Sequence, residues 1–542
     1  MGTLNIKSQR GSSSTASHSK ISIAPAAINL APGAIVYDGT EKTQTVNNVT
    51  LTLTEGVDYI LDGNTAINAG THVIMALGTN NYKDITTMEW TIQKAASSII
   101  PSVSALNIED SGNIDTFTIT TIGDGTVSVS SSNTAVATAT ISNNTVTVTS
   151  KTEGTATITV TISEGNNYNE ASTDIEVTVG LIRVFGVVWN YGNSSTALTR
   201  LTSSTDPNGY VNTDILADPV AAVGTGNGSS QFDNYMPWSG MEEYNVADNA
   251  ITYKKGSSDF SRNNDTVVYI PKFYYKIIKD TTNSKHYFYI ADHALTGFEK
   301  HPGSEAYVGK YVLDIESGCK SGKIPQRDRT RDGFRQIIKR ELGTNWSQWG
   351  LHHLNAIQLL YVIEFADWNS QNKIGFGICS GNDQLNSGGT DAMIYHTGKA
   401  SDVEGNVAVQ YRGIENLWGN VEQFVDGVNI MEHVIYYCTN PDNYADDTTT
   451  NYTDAGYSLP SIGYITQLGF SPSANWLMLP SAASGGSTST YIPDLGSSSN
   501  GELTLDVGGT ALSNASGLFF VSSGKTSLFA HDDWGTRPVF IP

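Results

Sequence analysis

Two all-β sandwiches followed by a larger α+β domain are what this 542-residue chain predicts. Three observations carry that expectation. Up to residue 180 the chain repeats short runs of β-branched residues broken by Gly, Asn and Asp turns. The triplet Asn80-Asn81-Tyr82 returns as Asn166-Asn167-Tyr168, an offset of 86 residues, each time just ahead of a last strand. At Leu181 the composition shifts, aromatic residues become frequent and helical periods enter the pattern.

Residues 1–21 contain basic residues but no apolar stretch of the kind a secretion signal needs, so they read as a flexible lead. Over residues 22–95 strands are expected at 49–54, 73–77 and 88–92, separated by Glu55-Gly56, Asp62-Gly63-Asn64 and Asn80-Asn81. Over residues 96–180 they are expected at 116–121, 126–130, 145–149, 155–161 and 175–179. The 86-residue offset is the length of one immunoglobulin-like unit, so a tandem pair of Ig-like sandwiches is predicted. The first, with Tyr37-Asp38-Gly39 and Asn68-Ala69-Gly70, resembles the YDG/MBG repeats of bacterial surface proteins. The second, with Ser132-Asn133-Thr134-Ala135-Val136-Ala137 and Gly154-Thr155-Ala156-Thr157, resembles bacterial Ig-like group 2 domains. Both resemblances imply a spacer role.

Within residues 181–542 an opening strand is expected at 181–189 and a hairpin-like pair at 267–279 and 287–290. Two helices come next: residues 331–342, with Phe334, Ile337, Ile338 and Leu342 on one face, and residues 351–368, with Leu354, Ile357, Leu360, Tyr361 and Phe365 on one face. In residues 411–430 the apolar Ile414, Leu417, Trp418, Val421, Phe424 and Val425 recur at spacings of three and four. That period predicts a third, short amphipathic helix, with Gly413 and Gly427 freeing its ends.

Arg412, Gly413, the run Leu417-Trp418-Gly419-Asn420 and Val425-Asp426-Gly427 resemble the central motif of the C-type-lectin-like fold shared by formylglycine-generating enzymes and by variable receptor-binding proteins of retroelement-carrying phages. The ending Gly535-Thr536-Arg537-Pro538-Val539-Phe540 resembles that fold's terminal strand. The segments 270–276, 297–302 and 355–371 are similar to those of tail-tip proteins of gut phages. The resemblance covers residues 181–542 and implies an α+β C-type-lectin-like domain. Formylglycine-generating enzymes hold copper with two cysteines near the C-terminus, and residues 471–542 contain none, so the expectation is a binding protein and no enzyme.

Lys+Arg 31 against Asp+Glu 53 leaves a net charge of −22, which disfavours nucleic acid and anionic membranes. No apolar run is long enough to insert in a bilayer. Cys319, Cys379 and Cys438 are too scattered for a disulfide framework or zinc site and are expected as buried packing, with one bridge left open. The adjacent His352-His353 cannot share a metal as an i, i+4 pair does, and is expected to be structural or exposed. Glu415, Glu422 and Asp426 admit a glycosidase pair but read better as a solvated face or a cap. The loop 442–447 offers hard oxygens for a structural calcium, a common feature of the resembled fold. Without EF-hand spacing a solvated loop stays open beside that reading, and no other cofactor is expected. The Gly-rich residues 223–230 sit in no βαβ unit and are loops.

Residues 471–534 are crowded with Ser, Gly, Asn and Thr and interrupted by Trp476, Tyr491, Phe519, Phe520, Phe529, His531 and Trp534. That is the composition of an antibody paratope. The resemblance places the family's variable segment there, where retroelement diversification changes adenine-containing codons. The expected ligand-binding residues are Tyr491, Asp494, Asn500, Asn514, Phe519, Ser522, Ser523, Lys525, Ser527, Phe529, His531 and Asp532, with strand alternation exposing only about half of them. The reading is a phage or prophage tail-tip receptor-binding protein, synthesised in the host cytoplasm, carried in the virion and attached to a bacterial surface protein or glycan. Other tail proteins and a homotrimer are its expected partners. A bacterial cell-surface adhesin with the same domain order is the alternative.

Overall fold

The computed structural model describes residues 19–23, 28–31, 33–48, 52–108, 112–180, 182–381, 383–514 and 516–542. Most of the lead over residues 1–21, residues 49–51 of an expected strand, and Leu181 fall outside these. The chain divides into two compact units, Met1–Val179 and Gly180–Pro542.

The first unit holds two β modules. In the first, the strands Ile35–Val36, Ile85–Gln93, Gly70–Gly78 and Tyr59–Asp62 form one sheet in that order. Its inner face carries Ile74, Ala76, Trp90 and Ile92 and is covered by short paired strands, among them Ile28–Leu30 with Val46–Asn48 and Lys42–Thr43 with Thr65–Ala66. Residues 52–54, expected as part of a strand, are irregular. The second module is a two-layer sandwich. One layer runs Ser98–Pro101, Ile114–Ile122, Thr145–Ser150, Ala137–Ser142 and the other Ala105–Ile108, Ala171–Val179, Gly154–Ile162, Val127–Ser131. Phe117, Ile119, Val146 and Val148 meet Ile158, Val160, Ile175 and Val177 between the layers, as two-residue alternation requires.

The repeated Asn-Asn-Tyr triplet does the same job in both modules. Ile21 and Tyr82 pair in parallel, with Ile21 N–H donating to Asn81 O at 3.0 Å; Ala95 and Tyr168 pair in parallel, with Ala95 N–H donating to Asn167 O at 2.9 Å. Each triplet ties the incoming chain of its module to the segment before the last strand.

Among the described residues the second unit holds one fully buried helix and five sheets, two of them small (Ala222–Val223, Gly398–Lys399, Val409–Tyr411, Ile414–Glu415; and Gln467–Ser471 with Ala474–Ala482) and three large. The first large sheet runs Thr199–Arg200, Val184–Asn190, Lys285–Ala291, Tyr274–Asp280, Glu299–Lys300. The second runs Ala250–Lys254, Glu243–Ala247, Asp265–Ile270, Ala306–Gly309, Pro538–Phe540, Trp346–Gln348. The third runs Thr453–Ser458, Val434–Tyr437, Glu422–Met431, Glu502–Val507, Val521–Ser523, Ile492–Ser498, Ile462–Ile465, and Trp534–Thr536 joins it parallel to Glu422–Met431. The expected run over 267–279 therefore splits. Pro271 has no N–H to offer a ladder; Asp265–Ile270 stays in the second sheet and only Tyr274–Asp280 pairs with Lys285–Ala291.

Two of the expected helices form. Helix α1, Arg331–Glu341, starts on Thr330, whose hydroxyl accepts from Gly333 N–H at 3.0 Å, and buries Phe334, Ile337 and Ile338. Helix α2, Leu351–Phe365, is buried on every side. Two of its polar members are bonded inside, Asn355 Nδ2 donating to Gln358 Oε1 at 2.6 Å and Gln358 Nε2 to Leu518 O at 2.8 Å, whereas His352 Nδ1 and the Tyr361 hydroxyl are buried without a hydrogen-bond partner among the described residues.

The third helix does not exist. Residues 412–413 are a turn, Ile414–Glu415 is a two-residue strand, residue 416 is irregular, residues 417–421 are bends, and Glu422–Met431 is a central strand of the third sheet. Arg412, Gly413, Asn416, Gly419, Asn420 and Gly427 all have positive φ, which no right-handed helix tolerates. At Gly419 a Cβ would lie 2.7 Å from Ile378 O, so the glycine is there to let two backbones touch. The polar positions expected to face water are buried and bonded: Gln423 Nε2 donates to Asn416 O at 2.9 Å and Asn420 Nδ2 to Leu385 O at 2.9 Å. Trp418 is fully buried, as expected.

Arg537 closes the unit. Its guanidinium donates to the carbonyls of Gly309, Lys310, Glu415 and Asn416 and to Gln423 Oε1, over 2.7–3.2 Å. Burial pulls its pKa down to about 9, and five acceptor oxygens hold the cation in place. The terminal strand is thereby stapled to the turn after Ile414–Glu415. Because this core lies wholly within Gly180–Pro542, a protein of that span is expected to unfold in one cooperative transition in urea. A gradual, non-sigmoidal loss of signal would refute that.

Candidate functional site

The stretch 471–534 is not one surface loop. Ala474–Ala482, Ile492–Ser498, Glu502–Val507 and Val521–Ser523 run through it as strands, and Trp476, Phe519 and Phe520 are buried. Four expected contact residues are corrected accordingly. Asp494 is buried, accepts from Gly517 N–H at 2.6 Å and Phe519 N–H at 2.9 Å, and its carboxyl is pushed up to about 7 by burial; it shapes the turn before Phe519. Phe519 packs edge-on against Trp368, ring centroids 5.0 Å apart. Ser523 is fully buried, and Ser527 donates inward to Asp447. All four side chains are buried in this fold.

The remaining eight are exposed or half-buried but scattered. Tyr491 is anchored through its N–H to Ser194 O, Asn500 sits in the short connection between Ile492–Ser498 and Glu502–Val507, which are separated in the sheet by Val521–Ser523, Asn514 lies beside Gln371, and Ser522 is on Val521–Ser523. Only residues 525–534 bring several together. Phe529 and Trp534 meet edge to face at 4.9 Å, His531 and Trp534 at 5.4 Å, and Phe529 and His531 lie parallel at 5.9 Å. Lys525 Nζ stands 4.6 Å from the Phe529 ring centre and 5.3 Å from that of Trp534. Leu528, at the crest, is 84% exposed.

This knot is fixed to the third sheet. Glu422 N–H donates to Asp533 O at 2.9 Å, Asp328 N–H to His531 O at 3.1 Å, Arg327 Nη1 to Asp532 O at 3.0 Å, and the Gln384 amide to the Asp533 carboxylate. Beneath it, Glu422 and Asp506 form a buried carboxyl pair. Burial first and mutual repulsion second raise Glu422, and burial pushes Asp506 up to about 7, while the Lys525 ammonium opposes both shifts. Sequence reasoning chose Lys525, Phe529, His531 and Asp532 but left out Leu528, Asp533 and Trp534. The exposure of Leu528 depends on which way the loop turns, and local sequence does not show that.

The other carboxylates are structural, not solvated. Glu415 accepts from Gly388 N–H, Thr390 N–H and Thr390 Oγ at 2.7–2.9 Å, and Asp426 takes Arg335 Nε at 2.7 Å. In the loop 442–447, considered for calcium, Asp446 faces Arg331 and Arg335, and Asp447 accepts from Ser527; those oxygens serve the chain's own donors. Among the described residues the group with metal-like spacing is instead His531, Asp532 and Asp533, whose ligand atoms lie within 4.8 Å of one another on the knot's exposed edge. His352 and His353 are buried, rings 4.0 Å apart, and Gly350 N–H donates to His353 Nδ1 at 2.9 Å. The three cysteines are buried and unbridged.

A second concavity, with a cavity volume of about 190 Å³, is lined by Glu243, Lys255, His396 and Arg412 among others. Its charges are paired off. Arg412 grips Glu364 through two nitrogens and Asp233 at 2.7 Å, and Glu243 receives Arg262 at 2.9 Å and Lys255 at 2.7 Å. Arg412 and its two partners are dozens of residues apart in sequence, so no local signal foretold them. Among the described residues no helix is long and apolar enough to cross a membrane.

No family model and no curated protein matches the chain. Solved structures similar to parts of it include domains 4 and 5 of the S-layer protein SbsC (21% identity, 28% of this chain and 98% of that one, TM-score 0.16). Others are the three N-terminal domains of the bacteriophage RB49 outer capsid protein Hoc (11% identity, 48% and 84%, TM-score 0.16) and fibronectin(III)-like modules of Clostridium thermocellum CbhA (10% identity, 28% and 94%, TM-score 0.14). At these scores none of them carries an argument about function. What stands is a mostly β, multidomain chain with Ig-like modules ahead of a larger unit.

Proposed function

We propose that this chain is an attachment protein of a phage or prophage tail tip, in which the Ig-like modules carry a C-terminal unit that binds a bacterial surface receptor and performs no chemistry. The observation that carries the reading is the knot at residues 525–534. An exposed leucine, three aromatic rings and a lysine are held on a sheet edge by backbone bonds at Glu422 and Asp328. Rigid aromatic area with adaptable polar neighbours is how binding surfaces gain affinity at low entropic cost. The resemblance of the segments around Trp418 and Arg537 to phage variable proteins supports the same reading, with the C-type-lectin-like fold and retroelement diversification as its finer parts.

Alanine substitution at Leu528, Phe529, His531 and Asp532, with Tyr491, Asn500 and Asn514 as scattered controls, tests it against host cells. The expectation is that Leu528 or Phe529 costs about 2 kcal/mol or more of binding and the controls little, with the melting temperature of each variant almost unchanged. If all these variants bind normally while substitutions in the first unit abolish attachment, the site lies elsewhere.

A further inference from the structure

The outward face of the first module's sheet is apolar where a lone module should be polar. Along Gly70–Gly78, Ile74 and Ala76 point inward and Val73, Met75 and Leu77 point outward, 49%, 38% and 37% exposed. Register sets Ile60, 44% exposed, and Ile85, 57% exposed, on either side of Leu77. Five apolar side chains are therefore contiguous across three strands, presenting on the order of 400 Å², the scale of the largest patch a monomer usually shows. The second module has a sheet of the same kind without this feature. Its outward positions on Ile114–Ile122 are Thr116, Thr118 and Thr120 between the two terminal isoleucines, and Ile100 lies opposite Thr120. A bare apolar face is thus no by-product of the architecture.

We propose that this face docks a second copy of the chain, sheet against sheet. The row Ile60, Leu77, Ile85 runs across the strands on one face, so a two-fold operation sets it against itself. Two sheets pack about 10 Å apart with strands within about 30° of each other, close enough for the two rows to interdigitate. Two such patches supply about 800 Å² of apolar area, the centre of a standard interface of about 1,600 Å². The rim limits the affinity. Asp62 and Glu89 lie outward beside Met75 and Val73, and the strands Tyr59–Asp62, Gly70–Gly78 and Ile85–Gln93 contain no Lys or Arg. Like charges then oppose across the two-fold, so association is weak and strengthens as salt shortens the screening length. Weak pairing still raises avidity in a protein that attaches through several copies.

Sedimentation equilibrium of the full chain, from about 1 to 100 µM at low and high sodium chloride, tests this. The expected result is a monomer–dimer equilibrium that tightens with salt. Leu77→Lys should weaken it at least tenfold, as should Ile85→Glu if the first variant fails to fold, whereas Ile122→Glu on the second module should leave it unchanged. Asp62→Lys should strengthen pairing at low salt, because it leaves one acid and one base on each rim in place of two acids and so relieves the repulsion. A chain that stays monomeric throughout, or a dimer indifferent to folded Leu77→Lys and Ile85→Glu, overturns the proposal. So does a monomer that dimerises only once residues 1–18 are deleted, which would assign the face to that segment.

Discussion

Replacing Trp418 with alanine should lower the stability of the C-terminal unit by about 3–5 kcal/mol, the cost of emptying a fully buried tryptophan site. The indole has no exposed surface, and its Nε1 donates to Gly375 O at 3.0 Å. Truncation therefore leaves both a cavity and a carbonyl without its donor. The neighbouring backbone has little room to collapse. Gly377, also at positive φ, brings its backbone to the indole, and Gly419 meets Ile378. Urea unfolding of the Gly180–Pro542 protein, read by the shift in midpoint at constant slope, measures the loss. A change below about 1 kcal/mol would mean that the Trp-Gly-Asn segment does not hold this core together.

The second large effect is on acid stability. His301, His352 and His353 are all buried, and among the described residues no carboxylate is hydrogen-bonded to any of the three rings. Burial lowers all three; His301 and His353 fall to about 3 and His352 goes well below its ordinary 6.5, with His353 and His301 also opposing its charge. His352 Nδ1 has no partner. The folded state thus refuses protons that the unfolded state accepts below pH 6.5. Stability is fully present above that pH and falls by about 1.4 kcal/mol per unit per histidine as the pH drops toward the folded values. Asp494 and Asp506, both pushed up to about 7, act with the opposite sign, since the folded protein takes up their protons first. Whole-protein acid denaturation mixes the two, and a difference measurement separates them. Between pH 7 and pH 5, His352→Phe should lose about 2 kcal/mol less stability than the unaltered protein, whatever the substitution costs at pH 7. Equal losses in the two proteins would show that His352 takes up its proton in the folded state.

Helix α1 and the segment around Trp418 show when a sequence pattern is readable. Helix α1 lies between core and water, so Phe334, Ile337 and Ile338 recur against polar residues and their period has meaning. Residues 408–430 are buried throughout. There the three-and-four spacing of Ile414, Leu417 and Trp418 reflected side chains packed on all sides of a turn, and a helical period says nothing about such a stretch. Helix α2 was expected from the spacing of Leu354, Ile357, Leu360, Tyr361 and Phe365 on one face; the helix is there, but it is buried all round and has no single face. At the candidate site, composition pointed to residues 471–534, and strand alternation and inward-turned loops place Asp494, Phe519, Ser523 and Ser527 of that stretch in the interior.

By itself the sequence determined the features that arise from local chemistry. It set the alternating strands of the second module, the paired Asn-Asn-Tyr ties, the two helices, the buried cysteines and the core place of Trp418, because propensity, period and apolarity act over a few residues. Only the tertiary structure decided the rest. It turned the Trp-Gly-Asn segment into bends and strand by placing Ile378 O against Gly419, and it joined Arg537 to Gly309 and Asn416. It also folded residues 525–534 over the Glu422 and Asp506 pair. Those outcomes depend on which distant backbone or charge arrives beside a residue, and no window of sequence contains that information.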